Sequence, residues 1–317
     1  MHHGNVSKEI AAGLVALRAR IEAAKIPSSS LDESLNVATW NIREFGRKRR
    51  SPAAIHYLAE IIGQFDLVGI VELRDKLGDL QRVLEILGPY WRAIYSDAIP
   101  DAGGNRERVA YVYDRRQVVF GGLAATATEP RRKRGLEYLP ESSFWRKPYL
   151  ASFRSGSFDF VALTTHIRWG SSVAARRQEL ALLADWIEAK RGSDGNEDKD
   201  LIVMGDFNIP KIGDPLFQAL TKHGLRIPDA LAGLDHGTNL AKDKRYDQIL
   251  HHPIYGSTFA NAGGALDFFV DDAGIAELFP GGMTRAEFTY QLSDHLPLWM
   301  QVKTDVDGYL LDAILQR

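Results

Sequence analysis

Cysteine is absent from this 317-residue chain. Its absence removes disulfides, thiolate nucleophiles and zinc–thiolate sites together. It leaves the compartment open, because a disulfide-free protein can work on either side of a membrane. Long apolar runs are missing too, so no span and no membrane partner are expected. The start, Met1-His2-His3-Gly4, lacks the charged-then-apolar layout of a secretory signal. The cytoplasm is the expected location, with secretion open if a signal was removed before residue 1. A surplus of charge of one sign is also lacking. With 39 Lys and Arg against 41 Asp and Glu, the net charge of −2 does not advertise a nucleic-acid binder. Hydrophobic residues at 45% and charged residues at 25% give the balance of an ordinary globular protein with a core.

The distribution of charge says more than its sum. Arg43, Arg47, Lys48, Arg49 and Arg50 crowd one stretch, and Arg131, Arg132, Lys133 and Arg134 form another. Such runs are mostly solvated loops, but beside a reaction centre either can hold a phosphate backbone. The first follows Asn41 closely and is expected at the rim of any site there. The second has no such anchor.

Along the chain, Ile10, Leu14, Leu17 and Ile21 form a helical stripe within 7–25, ended by Pro27 and the serines at 28–30. This helix is expected to pack on its own domain, with an oligomer contact as the other reading. Strands are predicted at 35–40, 67–71, 109–113, 118–120, 150–153, 158–165, 201–204, 246–250 and 298–302, and helices at 53–62, 77–87, 174–190 and 309–315. A polar loop is read at 192–200. No repeat and no Gly/Ser linker divides the chain. The domain reading is a helical extension at 1–30 and a single domain at 31–317. Two sheets packed face to face with helices outside fit the pattern, which by itself does not exclude other α/β layouts.

Polar residues recur at the ends of the apolar strands. Asn41 follows Val37-Ala38-Thr39-Trp40, Glu72 follows Val68-Gly69-Ile70-Val71, and His166 closes the run from Phe160. Asp206 and Asn208 follow Ile202-Val203-Met204-Gly205, Asp247 adjoins Ile249-Leu250, and Asp294-His295 precede Leu296-Pro297-Leu298. Strand ends are rigid, so side chains there can converge on one point. Taken singly, each would be an ordinary cap or turn residue. Phosphodiester hydrolysis needs charge neutralised on phosphoryl oxygens, which a hard cation with oxygen ligands provides. Glu72, Asn41, Asp206, Asn208 and Asp294 form an oxygen-only set of that kind. Histidine is then available for proton transfer, oriented by a carboxylate. The natural pairs are His295 with Asp247 and His166 with Glu107.

Asn41-Ile42-Arg43, Val71-Glu72-Leu73-Arg74-Asp75, Gly205-Asp206-Phe207-Asn208, Tyr246-Asp247 and Ser293-Asp294-His295 stand in the order of the deoxyribonuclease I-like endonuclease/exonuclease/phosphatase superfamily, which this chain resembles over 35–302. The resemblance implies a four-layer α/β sandwich of two mixed β-sheets with helices outside, and a catalytic domain over 31–317. It also implies a divalent cation, magnesium with manganese or calcium as alternatives. Glu72 would be the central metal ligand, with Asn41, Asp206, Asn208 and Asp294 around it. His295 with Asp247 would activate water, and His166 with Glu107 would protonate the leaving oxygen. Within the superfamily, Glu72-x-Arg74-Asp75 resembles the deoxyribonuclease I segment whose arginine enters the minor groove. Asn105-Arg106-Glu107-Arg108 resembles the segment supporting the second histidine, and Phe144-Trp145-Arg146-Lys147-Pro148 one whose arginine contacts phosphate. Departures are the missing cysteines, Val71 where glutamine is common, and Ile167-Arg168-Trp169-Gly170 after His166.

The expected function is therefore metal-dependent hydrolysis of DNA with little sequence preference, by a protein expected to be monomeric. Arg74, Arg146, Arg43, Tyr246 and Arg168 are the candidate substrate contacts. A phosphatase or phosphodiesterase acting on a small or lipid-linked phosphoester is the alternative, since one metal site serves all these branches. A non-catalytic nucleic-acid binder on a decayed enzyme fold is a third reading, opposed by the presence of the full ligand and histidine set.

Overall fold

The computed structural model describes residues 1–98, 106–140, 142–170, 172–193, 200–252, 258–259 and 262–315. Asn105 and positions 194–199 of the polar loop lie outside the described residues.

In chain order the elements are α1 (Lys8–Ala23), β1 (Ser34–Phe45), α2 (Pro52–Ile62), β2 (Leu67–Leu73), α3 (Gly78–Leu87), β3 (Trp91–Tyr95), β4 (Arg108–Asp114) and β5 (Val119–Thr126). A hairpin of β6 (Arg131–Arg134) and β7 (Glu137–Pro140) follows, then β8 (Tyr149–Ser155), β9 (Phe158–His166), α4 (Val173–Arg191) and β10 (Leu201–Asp206). The last part holds α5 (Pro215–Thr221), α6 (Asp229–Ala232), β11 (Asp247–His251), β12 (Gly263–Ala265), α7 (Ile275–Leu278), α8 (Arg285–Gln291), β13 (Leu298–Lys303) and α9 (Asp307–Leu315).

One sheet has the order β12-β13-β1-β2-β4-β3 and the other β11-β10-β9-β8-β5. Both are mixed, with β1 parallel to β2 and β9 parallel to β10. Period-two alternation sorts their side chains into three apolar layers. Leu35, Val37, Leu67, Tyr111, Phe153, Phe160, Ile202 and Met204 meet between the sheets. Ala38, Trp40, Val68 and Ile70 face the opposite way, into a cluster with residues of α1, α2 and α3. Val161, Leu163, Leu201 and Val203 pack against Leu180, Leu183 and Ile187 of α4. The result is helices, sheet, sheet, helices. Each large side chain wholly removed from water in these layers contributes about 1.5–3 kcal/mol.

Helix starts follow local chemistry. Ser51 caps α2 through Ala54 N with Pro52 in the first turn, Ser172 caps α4, and Thr284 with Glu287 forms a capping box on α8. In α1, Leu14, Leu17 and Ile21 are buried in the same cluster as Trp40 and Ile70. Its Arg20 is buried as well, bonded to the carbonyls of Phe268 and Gly274 and to Glu277.

Two glycines permit the close approaches that shape the site end of the sandwich. Gly69 faces the other sheet, and a Cβ there would stand 2.7 Å from Thr164 Oγ1. Gly205 has φ 138°, and a Cβ would fall 1.9 Å from the Thr165 carbonyl oxygen. Gly205→Ala combines backbone strain with overpacking. Its urea midpoint is expected to fall by the equivalent of roughly 3 kcal/mol, and an unchanged midpoint would refute this account.

Candidate active site

The inter-sheet face is apolar until its last row, where the same alternation delivers polar groups. On β1 the inward series Leu35, Val37, Thr39 ends in Asn41, and on β9 Phe160, Ala162, Thr164 ends in His166. On β10 Ile202 and Met204 lead to Asp206, whose pairing partner on the antiparallel β11 is Asp247. Asp206 is also opposite His166 in the parallel register.

Glu72 reaches this row by a different device. Strict alternation from Val68 and Ile70 would turn it toward the helices. Instead the β2–β4 register shifts between Ile70 and Leu73, and Glu72 adopts φ 62°. This bulge passes the helix-facing position to Leu73 and aims Glu72 at Asn41. Asn208, at φ 52°, is similarly held in the left-handed region.

Asn41 Nδ2 donates to Glu72 Oε1 at 3.1 Å and to Asp206 Oδ2 at 3.0 Å, joining the two sheets. Glu72 Oε2 accepts from Glu44 N at 2.8 Å, and Asp206 Oδ1 accepts from Asn208 N at 2.9 Å. Two imidazoles flank Asp206. His295 Nδ1 is 2.7 Å from Asp247 Oδ2, and its Nε2 is 3.9 Å from Asp206 Oδ2. His166 Nδ1 is 2.9 Å from Glu107 Oε2, and its Nε2 is 3.5 Å from the same Asp206 oxygen. Both rings thus have one nitrogen held by a carboxylate and the other facing a common point.

Burial and the Arg146 guanidinium oppose protonation of His166, but Glu107 and Asp206 outweigh them and its pKa lies above the ordinary imidazole value. For His295, burial is overcome by Asp247 and Asp206, and its pKa lies well above that value.

The remaining predicted residues divide between support and rim. Arg146 Nε lies 2.8 Å from Glu107 Oε2, and Arg74 Nη1 lies 3.4 Å from Glu107 Oε1. Both arginines are therefore engaged by the carboxylate that orients His166. Asn208 Nδ2 donates to the Ile167 carbonyl at 2.8 Å. Asp294 stands at the rim, its side chain 44% exposed and its Oδ2 3.9 Å from Arg43 Nη1. Among the described residues it makes no bond to the Glu72–Asn41–Asp206 group. Arg43 also bonds the Thr289 hydroxyl and lies 4.1 Å over the Tyr290 ring. Tyr246 has its ring centre 6.0 Å from that of His295 and meets Trp169 edge-on at 5.5 Å. Arg168 lies 4.3 Å over exposed Trp145.

Several positioning residues were not singled out from sequence. Ser293 Oγ donates to the Asn41 carbonyl at 2.5 Å and accepts from His295 N at 3.1 Å, while Trp40 Nε1 donates to the His295 carbonyl at 2.8 Å. Arg176 Nη1 donates to the Asn208 carbonyl at 2.8 Å, and Glu179 accepts from the backbone N–H groups of Trp145 and Arg168. Both are buried on the apolar face of α4, and a charge on such a stripe was the available signal.

The donor chemistry fits a hard divalent cation. Asn41 Oδ1 is buried without a hydrogen-bond partner. Among the described residues, neither Glu72 nor Asp206 has a lysine or arginine within ion-pair distance. Two carboxylates and an unpaired amide oxygen suit magnesium, manganese or calcium. Asp206, Asp247 and His295 also bring ligand atoms within 4.8 Å of one another. There His295 Nδ1 and Asp247 Oδ2 already hold each other, while Asp247 Oδ1 is buried without a hydrogen-bond partner.

The endonuclease/exonuclease/phosphatase family matches residues 38–295, and the chain belongs to that family. A relative named deoxyribonuclease, from Thioalkalivibrio sp. (strain K90mix), is 33% identical over 199 residues, which is 58% of this chain and 49% of the relative. The matched region thus spans about half the length of that relative. A family member from Bacteroides thetaiotaomicron superposes with a TM-score of 0.57 at 20% identity, covering 86% of this chain and 98% of that one. The mannosyl-6-phosphatase of the same organism gives 0.53 at 19% identity, covering 84% and 98%. These two likenesses show the shared fold.

Proposed function

We propose that this protein is a divalent-metal-dependent nuclease hydrolysing phosphodiester bonds of DNA with little sequence preference. The observation that carries the reading is the pair of carboxylate-held imidazoles whose Nε2 atoms both face Asp206, beside the Glu72–Asn41 pair. Membership of the family and the relative named deoxyribonuclease support it.

Glu72, Asn41 and Asp206 would hold the cation, magnesium by expectation, with Asn208 and Asp294 at its margin. Bound there, the cation supplies neutralisation of charge on the phosphoryl oxygens. His295, steadied by Asp247, takes a proton from the attacking water. His166, steadied by Glu107, returns one to the leaving oxygen. The raised pKa of His166 suits the acid. Asp206 is one source of the lift on His295, and a cation held by Asp206 would reduce it. Arg74 and Arg146 support Glu107, and Arg43, Tyr246 and Arg168 at the rim contact the backbone without reading bases.

The direct test is nicking of supercoiled plasmid with magnesium or manganese. Cutting is expected, and EDTA is expected to abolish it. Hydrolysis of small phosphate monoesters without plasmid cutting would replace this reading with a phosphatase.

A further inference from the structure

The basic run Arg131–Arg134 is one strand of the β6–β7 hairpin, and the fold plants that hairpin beside the candidate active site. Before it, β5 ends at Thr126 paired with Tyr149, which pairs with Thr164, two residues before His166. Ala127 N then donates to the Pro148 carbonyl at 2.8 Å. After the hairpin, Phe144 N donates to Glu129 Oε1 at 3.0 Å and Trp145 N to Glu179 Oε1 at 2.8 Å. The next residue is Arg146, bonded to Glu107. The hairpin is therefore an excursion from the site edge of the five-stranded sheet that returns directly to the support of His166.

Its surface matches an extended polyanion. Every residue of both strands is exposed. The register sets Arg131 opposite Pro140 and Lys133 opposite Tyr138 on one face, with Arg132 opposite Leu139 and Arg134 opposite Glu137 on the other. Glu137 is the one acid in the two strands. Among the described residues, Arg131, Lys133 and Arg134 have no carboxylate within ion-pair distance. Gly135, at φ 63°, begins the two-residue turn, and Leu136 at the tip is 99% exposed. Same-face cations two residues apart, Arg131 with Lys133 and Arg132 with Arg134, concentrate positive charge on both faces of the strand. Between the hairpin root and His166, Arg168 over Trp145 continues the positive charge. Each strand spans about 13 Å at ~3.3 Å per residue, enough to meet several phosphates beyond the one being cut.

From this placement we propose that the hairpin is a sequence-independent clamp on the phosphate backbone of a nucleic acid lying in the cleft. This inference rests on the nuclease reading. The clamp adds affinity for long substrates and leaves the chemical step to the histidines.

The test is the triple variant Arg131→Gln/Lys133→Gln/Arg134→Gln. These side chains are exposed, so its thermal midpoint should match that of the unaltered protein. Binding of a fluorescent DNA duplex and plasmid nicking are followed across a salt series, with a small chromogenic phosphodiester as reference. The log–log salt slope is expected to flatten by about 2–3, at roughly 0.9 for each phosphate no longer neutralised. Binding at low salt is expected to weaken about tenfold or more, with the small diester hydrolysed as before. Unchanged slope and nicking would overturn the clamp and leave the nuclease reading standing. Equal losses on plasmid and small diester would make the hairpin a support of the site and also overturn it. Failure of the unaltered protein to bind or nick DNA, with small esters still hydrolysed, would remove the nuclease reading and the clamp with it.

Discussion

His295→Ala is expected to lower kcat on DNA by a factor of roughly 10²–10⁴ while leaving divalent-cation affinity nearly intact, the magnitude typical of losing a positioned acid or base. The geometry separates the two effects. His295 Nε2 lies 3.9 Å from Asp206, whose other contacts run to Asn41, Asn208 and His166 and survive the change. Asp247 loses its 2.7 Å partner while wholly buried, so some loss of stability accompanies the substitution. The variant should therefore be assayed well below its melting midpoint. Single-turnover cleavage at saturating manganese, with manganese titrated calorimetrically, checks both halves of the expectation. Turnover within a few-fold of the unaltered protein would remove His295 from the chemistry.

Glu72→Gln tests the cation seat with almost no change of shape. Glutamine can still accept from Glu44 N, so the bulge that aims residue 72 keeps its anchor. What disappears is one of the two carboxylate charges meeting at Asn41, together with the Oε1 acceptor of Asn41 Nδ2. A cation's electrostatic contribution is several kcal/mol. At roughly 1.4 kcal/mol per tenfold, cleavage at fixed magnesium is expected to fall by about a thousandfold or more. Raising the metal concentration should restore part of it. The result that sinks the assignment is an unchanged metal titration, whatever happens to the rate.

Most of the sandwich was legible because period-two patterns and apolar stripes report directly on which face is buried. Asn41, His166 and Asp206 were legible for the same reason, each ending an inward-facing series. The aim of Glu72 was not, because a bulge is an irregularity in pairing and pairing partners are remote in sequence. The strand Trp91–Tyr95 escaped notice since its burial is partial and Arg92 interrupts the pattern. The helix Pro215–Thr221 is short, although Asp214 before Pro215 was a readable start signal. The Arg131–Arg134 strand reads as solvent-facing on every side, as it is, so no periodicity could place it. The anchoring of the chain that leaves its hairpin, through Phe144 and Trp145 to Arg146, is a property of the fold. For Arg74 a motif suggests a groove contact, and what the sequence did not reveal is its neighbour Glu107, 3.4 Å from its Nη1.

The contact between Gly69 and Thr164 lies close behind the site, three residues before Glu72 and two before His166. Glu72 rides on one sheet, and His166 and Asp206 on the other. The thickness of the sandwich at that point therefore works as a calliper whose jaws carry the groups proposed to hold the metal and move protons. A Cβ at position 69 would stand 2.7 Å from Thr164 Oγ1 and 3.1 Å from the Met204 sulfur, so the layer must give at that point to accept it. The width of the reacting cleft is thus written in the hydrocarbon layer beneath it.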